Sequence, residues 1–233
     1  MGLLKKKRDI KKEASSLETF VQQLYWGENL NPEKSKQNIS SGIVEITEFG
    51  QHSSNGILIT SDGYFLTAKH CLEGSFLWQS VMLSNGTSYP ISEVCCFNDE
   101  EDIAMAKAKI PTESKSMEYK IYQEDYSQKI AVSLITRRQG KLINKYGFCE
   151  KPWNKARTPI GEGKFAQWSN HFTLNLDSFT GDSGGSVVSS DGRLMGLWST
   201  GSDEVSYGSA SKIEKSLELV SSFAVMLKNS RNV

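Results

Sequence analysis

Ser183 lies in the run Gly181-Asp182-Ser183-Gly184-Gly185-Ser186, whose residue types suit a serine nucleophile beside a bed of backbone amides. A serine hydroxyl is a weak nucleophile until a neighbouring base takes its proton, and the oxyanion it creates needs hydrogen-bond donors already in place. Glycines on both sides meet the second need. Gly181 can take a backbone conformation closed to other residues and turn its own N–H and that of Ser183 toward one point, while Gly184 and Gly185 leave room for a substrate. The bland alternative is a Gly-Ser turn between two strands, so the base must be found elsewhere in the chain.

Chain order narrows the search. The run also fits G-x-S-x-G, a nucleophile elbow in which the histidine follows the serine. Here the three histidines, His52, His70 and His171, all precede Ser183, and the elbow is excluded. His70 stands in Thr67-Ala68-Lys69-His70-Cys71, just after the apolar strand Gly63-Tyr64-Phe65-Leu66, where a strand gives way to a loop. Downstream, Asp102 opens Asp102-Ile103-Ala104-Met105-Ala106 and can accept the Nδ1 proton of His70. Asp99, Glu100 and Glu101 compete for that role, but Asp102 alone begins an apolar strand. His52 and His171 have no such surroundings and read as ordinary surface or packed histidines.

With the order His, Asp, Ser complete, the chain resembles the chymotrypsin/trypsin family of serine peptidases. T-A-K-H-C stands where members carry T-A-x-H-C, D-I-A-M where they carry D-I-A-L, and G-D-S-G-G is unchanged. The resemblance implies His70 as general base, Asp102 as its orienting carboxylate, Ser183 as nucleophile, and an oxyanion hole made by the amides of Gly181 and Ser183. It puts Asp177 at the floor of the pocket for the residue before the scissile bond (P1), which implies Arg or Lys there, and Gly201 and Gly208 on its walls. Ser199 matches the segment that pairs with an extended substrate and whose hydroxyl supports the aspartate. Two departures stand out. Phe179 replaces a pocket-flanking cysteine, and Ser54-Asn55-Gly56 lacks the cysteine that would bridge to Cys71. Members commonly pair Asp182 with a freshly cleaved N-terminus. No basic residue directly precedes Ile43-Val44, so an internal arginine, Arg137 or Arg138, is the expected partner.

The implied function is a serine endopeptidase acting on protein or peptide substrates, with no metal or organic cofactor required and regulation by an activating or restraining partner. The competing expectation is a catalytically silent binding module recruited through an N-terminal helix. Composition agrees with either. The 233 residues carry 27 basic and 27 acidic side chains, so no net field recruits nucleic acid. No apolar stretch is long enough to span a bilayer, and Met1-Gly2-Leu3-Leu4 runs into Lys5-Lys6-Lys7-Arg8 without a signal-peptide core, which gives a cytoplasmic expectation. Cys71, Cys95, Cys96 and Cys149 lack zinc spacing and disulfide density, and reduced thiols are expected.

The fold expected is all-β: two tandem six-stranded antiparallel barrels, with an N-terminal helical extension and a C-terminal helix. Residues 1–38 form the extension and 39–233 the peptidase domain, with barrels at about 39–115 and 128–212 and the closing helix at about 212–229. Leu17, Phe20, Val21, Leu24 and Tyr25 share one helical face, with Ser15 and Glu18 as a capping box. That stripe covers either the body of the domain or a partner. Ser61-Asp62-Gly63, Asn85-Gly86 and Ser190-Asp191-Gly192 read as hairpin turns. Tyr146, Phe148, Trp153 and Trp168 fall in a long connection, where they either line a groove or pack locally.

Overall fold

The computed structural model describes residues 9–26, 29–74, 76–124, 126, 129–159, 165–202 and 205–230, without the side chains of 26, 151–159, 165–168, 202, 205 and 206. The first barrel is built from β1 (Ile43–Glu48), β2 (Gln51–Leu58), β3 (Tyr64–Ala68), β4 (Gln79–Met82), β5 (Ser88–Asn98) and β6 (Ile103–Ala108). It closes in the order β1-β2-β3-β6-β5-β4. A short strand, β7 (Lys120–Ile121), leads into β8 (Ile130–Arg138), β9 (Lys141–Pro159), β10 (Phe165–Asn175), β11 (Ser186–Ser189), β12 (Arg193–Ser202) and β13 (Val205–Lys212). Pairing of β11 with β12 closes the order β11-β8-β9-β10-β13-β12 into a second six-stranded barrel, with β7 added parallel to β12. The fold is the expected chymotrypsin-like pair of barrels.

Helices α1 (Ile10–Trp26) and α2 (Pro32–Gly42) precede the barrels and α3 (Ile213–Asn229) follows them. α1 starts five residues before the expected Ser15 cap, because the Asp9 carboxylate accepts from Lys12 N and caps the end. α2 begins at Pro32. Proline is tolerated at a first helical turn, and Asn31 caps this one by accepting from Glu33 N and Lys34 N. α2 runs through residue 38 into β1, so the helical segment continues past the expected boundary.

Two long strands were also missed. Pro90 demotes Ser88–Asn98 in a sequence reading, yet it sits in β5 opposite Ser80 of β4. Lys141–Pro159 shows little alternation, yet it pairs with β8 on one side and β10 on the other. The expected turns are correct: Gly63, Gly86 and Gly192 have φ of 107°, 80° and 83°.

Most of the apolar stripe of α1 packs on the body of the domain, with Val21 and Leu24 partly buried and Tyr25 exposed. Leu17 and Phe20 are fully buried in a cluster with Tyr119, Ile213, Val220 and Ala224. Gln23 of α1 donates to Met117 O (2.6 Å) and accepts from Tyr119 N, tying the helix to the segment between the barrels. Lys107 of β6 ion-pairs with Glu13 of α1 and with Asp62, each at 3.0 Å, and Tyr64 donates to Glu13 at 2.7 Å. No described helix is long and apolar enough to cross a membrane.

Candidate active site

Strand β3 delivers His70, which follows Ala68 in a 3₁₀ turn over Lys69–Leu72. The hairpin before β6 delivers Asp102. Its φ of 49° is left-handed, a conformation that aspartate tolerates better than most residues and that needs support. That support is ample: Lys69 N donates to Asp102 O (3.0 Å), and His70 N donates to Asp102 Oδ1 (3.0 Å). The ring Nδ1 of His70 stands 2.8 Å from Asp102 Oδ2, and Ser199 Oγ donates to the same oxygen. Asp102 is 1% exposed. Burial opposes its charge, but the bonds from His70 and Ser199 prevail and hold its pKa below the ordinary carboxylate range. Burial likewise opposes a charged His70, and the Asp102 bond, aided by the Cys71 thiol 3.9 Å from Nε2, prevails and raises its pKa.

Ser183 comes from the loop between β10 and β11, and Ser199 joins it to the other groups. Ser183 Oγ donates to Ser199 O (3.1 Å), while the Ser199 hydroxyl serves Asp102. One residue thus touches both the nucleophile candidate and the carboxylate. The loop itself is pinned across the barrel interface by Asn55 of β2. Asn55 N donates to Ser183 O (2.8 Å), Asn55 Nδ2 to Gly181 O (2.8 Å), and Asn55 Oδ1 accepts from Arg137 N (2.6 Å). Gly184 must be glycine here, since a Cβ would overlap Asn55 O and Thr67 Oγ1.

Gly181 has φ of 92°, a conformation open to glycine and closed to most other residues. Arg138 Nη2 donates to Thr180 O (2.7 Å), and because N–H and C=O point oppositely across a trans peptide, the Gly181 N–H faces away from Arg138. His52 was read as an ordinary histidine. It lies between buried Glu45 (2.9 Å) and Gly181 O (3.0 Å), so it too holds the loop. No sequence signal identified it, because its partners are distant in the chain.

Asp182 is 2% exposed and ion-pairs with Lys145 of β9, with Arg138 Nη2 at 3.7 Å and Phe179 N donating to it at 2.6 Å. Lys145 was missed because its strand was missed. Arg138 is the minor partner, and Arg137 is not one. The Arg137 guanidinium donates to the carbonyls of Ile43 (3.1 Å), Gly140 (2.8 Å) and Ser40 (3.2 Å).

The expected basic-P1 pocket is corrected by the geometry. Asp177 is exposed rather than at a closed floor. Gly201 and Gly208 are paired across β12 and β13, and the Trp198 indole lies against both. Tyr146 and Phe148 are exposed, and the side chains of Trp153 and Trp168 lie outside the described residues.

His171 is fully buried behind Asp102. Its Nε2 donates to Glu101 O (2.9 Å), so Nδ1 of the neutral ring accepts from Ser209 Oγ (3.3 Å), which contacts Thr200 Oγ1 (3.1 Å). Burial depresses its pKa to about 4. The four cysteines are free, and burial pushes the Cys96 and Cys149 thiols up to about 12 and about 11, leaving them inert. Among the described residues no cluster of His, Cys, Asp and Glu could hold a metal ion.

A two-barrel fold with a half-buried histidine on a buried aspartate and a serine at the interface defines a class, that of the chymotrypsin-like peptidase domains. The Trypsin family model matches residues 31–216, and the chain belongs to that family. Solved structures similar to it include Rv3671c from M. tuberculosis H37Rv in its inactive form, with a TM-score of 0.61 and 15% identity over 84% of this chain and 91% of that one. The MamO protease domain from Magnetospirillum magneticum, in its apo form, gives 0.63 and 17% over 78% and 96%. No curated protein matches the chain at a significant level.

Proposed function

We propose that the chain is a serine endopeptidase that works by acyl transfer. The observation that carries this reading is that Ser199 joins the groups, its carbonyl accepting from Ser183 Oγ and its hydroxyl donating to the Asp102 carboxylate that holds His70. In the reaction Ser183 Oγ turns from Ser199 O to His70 Nε2, gives up its proton and attacks the scissile carbonyl carbon. The amides of Gly181 and Ser183 receive the oxyanion, His70 returns the proton to the leaving amine, and a water then repeats the sequence on the acyl-enzyme. Asp102 steadies the imidazolium throughout, with Ser199 holding the carboxylate in place. Lys145 serves Asp182 as the internal cation, so activity needs no prior cleavage of the chain. Leu17 and Phe20 of α1 are buried in the core, which leaves Tyr25 as the exposed residue of that apolar face.

Labelling by a fluorophosphonate tests the proposal. The parent protein is expected to label at one serine, and Ser183→Ala and His70→Ala to lose labelling by at least ~10²-fold. Equal labelling of Ser183→Ala overturns the assignment.

A further inference from the structure

Trp198 precedes Ser199 on β12, and its backbone is locked to the nucleophile loop. Gly184 N donates to Trp198 O and Trp198 N donates to Gly185 O, both at 2.7 Å. From that anchor the indole lies against Gly201 and Gly208, which are paired across β12 and β13. A Cβ built on Gly208 would overlap Cζ2 and Cη2 of the indole, and one on Gly201 would lie 2.6 Å from Cζ2. Both positions are glycine because the ring needs the space. Ser178, 5% exposed, closes the third side, since the same Cβ on Gly201 would strike its Oγ.

If Ser183 is the nucleophile, the side chain of the residue before the scissile bond enters the gap between the 178–181 loop and the Ser199–Gly201 strand. The gap is taken. Trp198 is 2% exposed and belongs to one buried cluster with Phe172, Leu174, Leu176, Val187 and Ala210, so retreat of the ring would have to displace packed core side chains.

Resting on the peptidase reading, we propose that Trp198 fills the P1 pocket from within and restricts the enzyme to substrates with Gly, Ala or Ser at P1. Large apolar and basic P1 side chains are excluded by the indole. A lysine or arginine would also meet no buried carboxylate, because Asp177 is exposed.

Peptidyl diphenyl phosphonates differing only at P1 decide the matter, with rates expressed relative to each protein's own labelling by a fluorophosphonate that carries no P1 side chain. The parent is expected to react with the alanine probe about 10²-fold faster than with the phenylalanine or lysine probe. Trp198→Ala is expected to raise the phenylalanine rate by about 10²-fold, and Trp198→Phe, which keeps more of the core, to admit valine and leucine first. A parent that takes phenylalanine or lysine within about threefold of alanine overturns the inference, whatever the variants do. Failure of the plain fluorophosphonate to label the parent instead overturns the peptidase reading, and the inference falls with it.

Discussion

His70 and Asp102 set the pH response of the site. Because the folded pKa of His70 lies above the ordinary 6.5, the imidazole stays protonated to higher pH and cannot accept the Ser183 proton there. The fluorophosphonate labelling rate is therefore expected to rise with pH through a midpoint above 6.5, and a midpoint at or below it would contradict the Asp102 contact. Stability follows the same sign: the share from His70 is complete below 6.5 and is lost as pH rises through the raised value. His171 works in the opposite sense. Its folded pKa is depressed from 6.5 to about 4, so between these values only the unfolded chain binds the proton. His171→Gln keeps a side-chain donor for Glu101 O without the titration. Between pH 7 and pH 4 the parent is expected to lose about 3 kcal/mol more unfolding free energy than this variant, as read by denaturant titration at each pH.

The nucleophile loop is held by elements rather than by a disulfide. Asn55 of β2, Lys145 of β9 and Arg138 of β8 each reach it from a different strand. Asn55 is fully buried, and Asn55→Ala leaves Arg137 N without its side-chain acceptor and Gly181 O with His52 alone, at about 1–3 kcal/mol for the orphaned amide. Thermal melting should show that loss. Lys145→Met leaves a buried carboxylate without its nearer cation, and turnover of a small-P1 peptide is expected to fall at least ~10-fold through kcat. Arg137→Met is expected to lower stability more than turnover, because its guanidinium serves backbone carbonyls of Ser40, Ile43 and Gly140. Equal turnover in the Lys145→Met protein and the parent would remove Lys145 from the activation scheme.

At the scale of the molecule, α1 and α3 close the back of the two barrels with one shared core. The Glu13–Lys107–Asp62 cluster clasps α1 to the first barrel, with Lys107 Nζ also 4.2 Å from the centre of the Tyr64 ring. Removing the cation leaves two buried carboxylates facing each other, so Lys107→Met is expected to cost about 3–5 kcal/mol. Limited proteolysis should then cut within α1 before the barrels unfold, whereas simultaneous loss of both would show that the helix has no separate stability.

The family was legible because its motifs are encoded locally. T-A-K-H-C, D-I-A-M and G-D-S-G-G are contiguous, each requires particular residue types, and alternating apolar strands around them announced two barrels. Helix α2 and strands β5 and β9 were hidden where proline or polar residues mask periodicity, since pairing partners rather than propensity stabilise those segments. The roles of His52, Asn55, Lys145 and Trp198 belong to the tertiary structure alone. Each depends on a contact between residues far apart in the chain or on which space a side chain fills, and neither is written in residue order. Gly201 and Gly208 make the difference plain: their identity says that room is needed, and only packing decides that the room is for an indole.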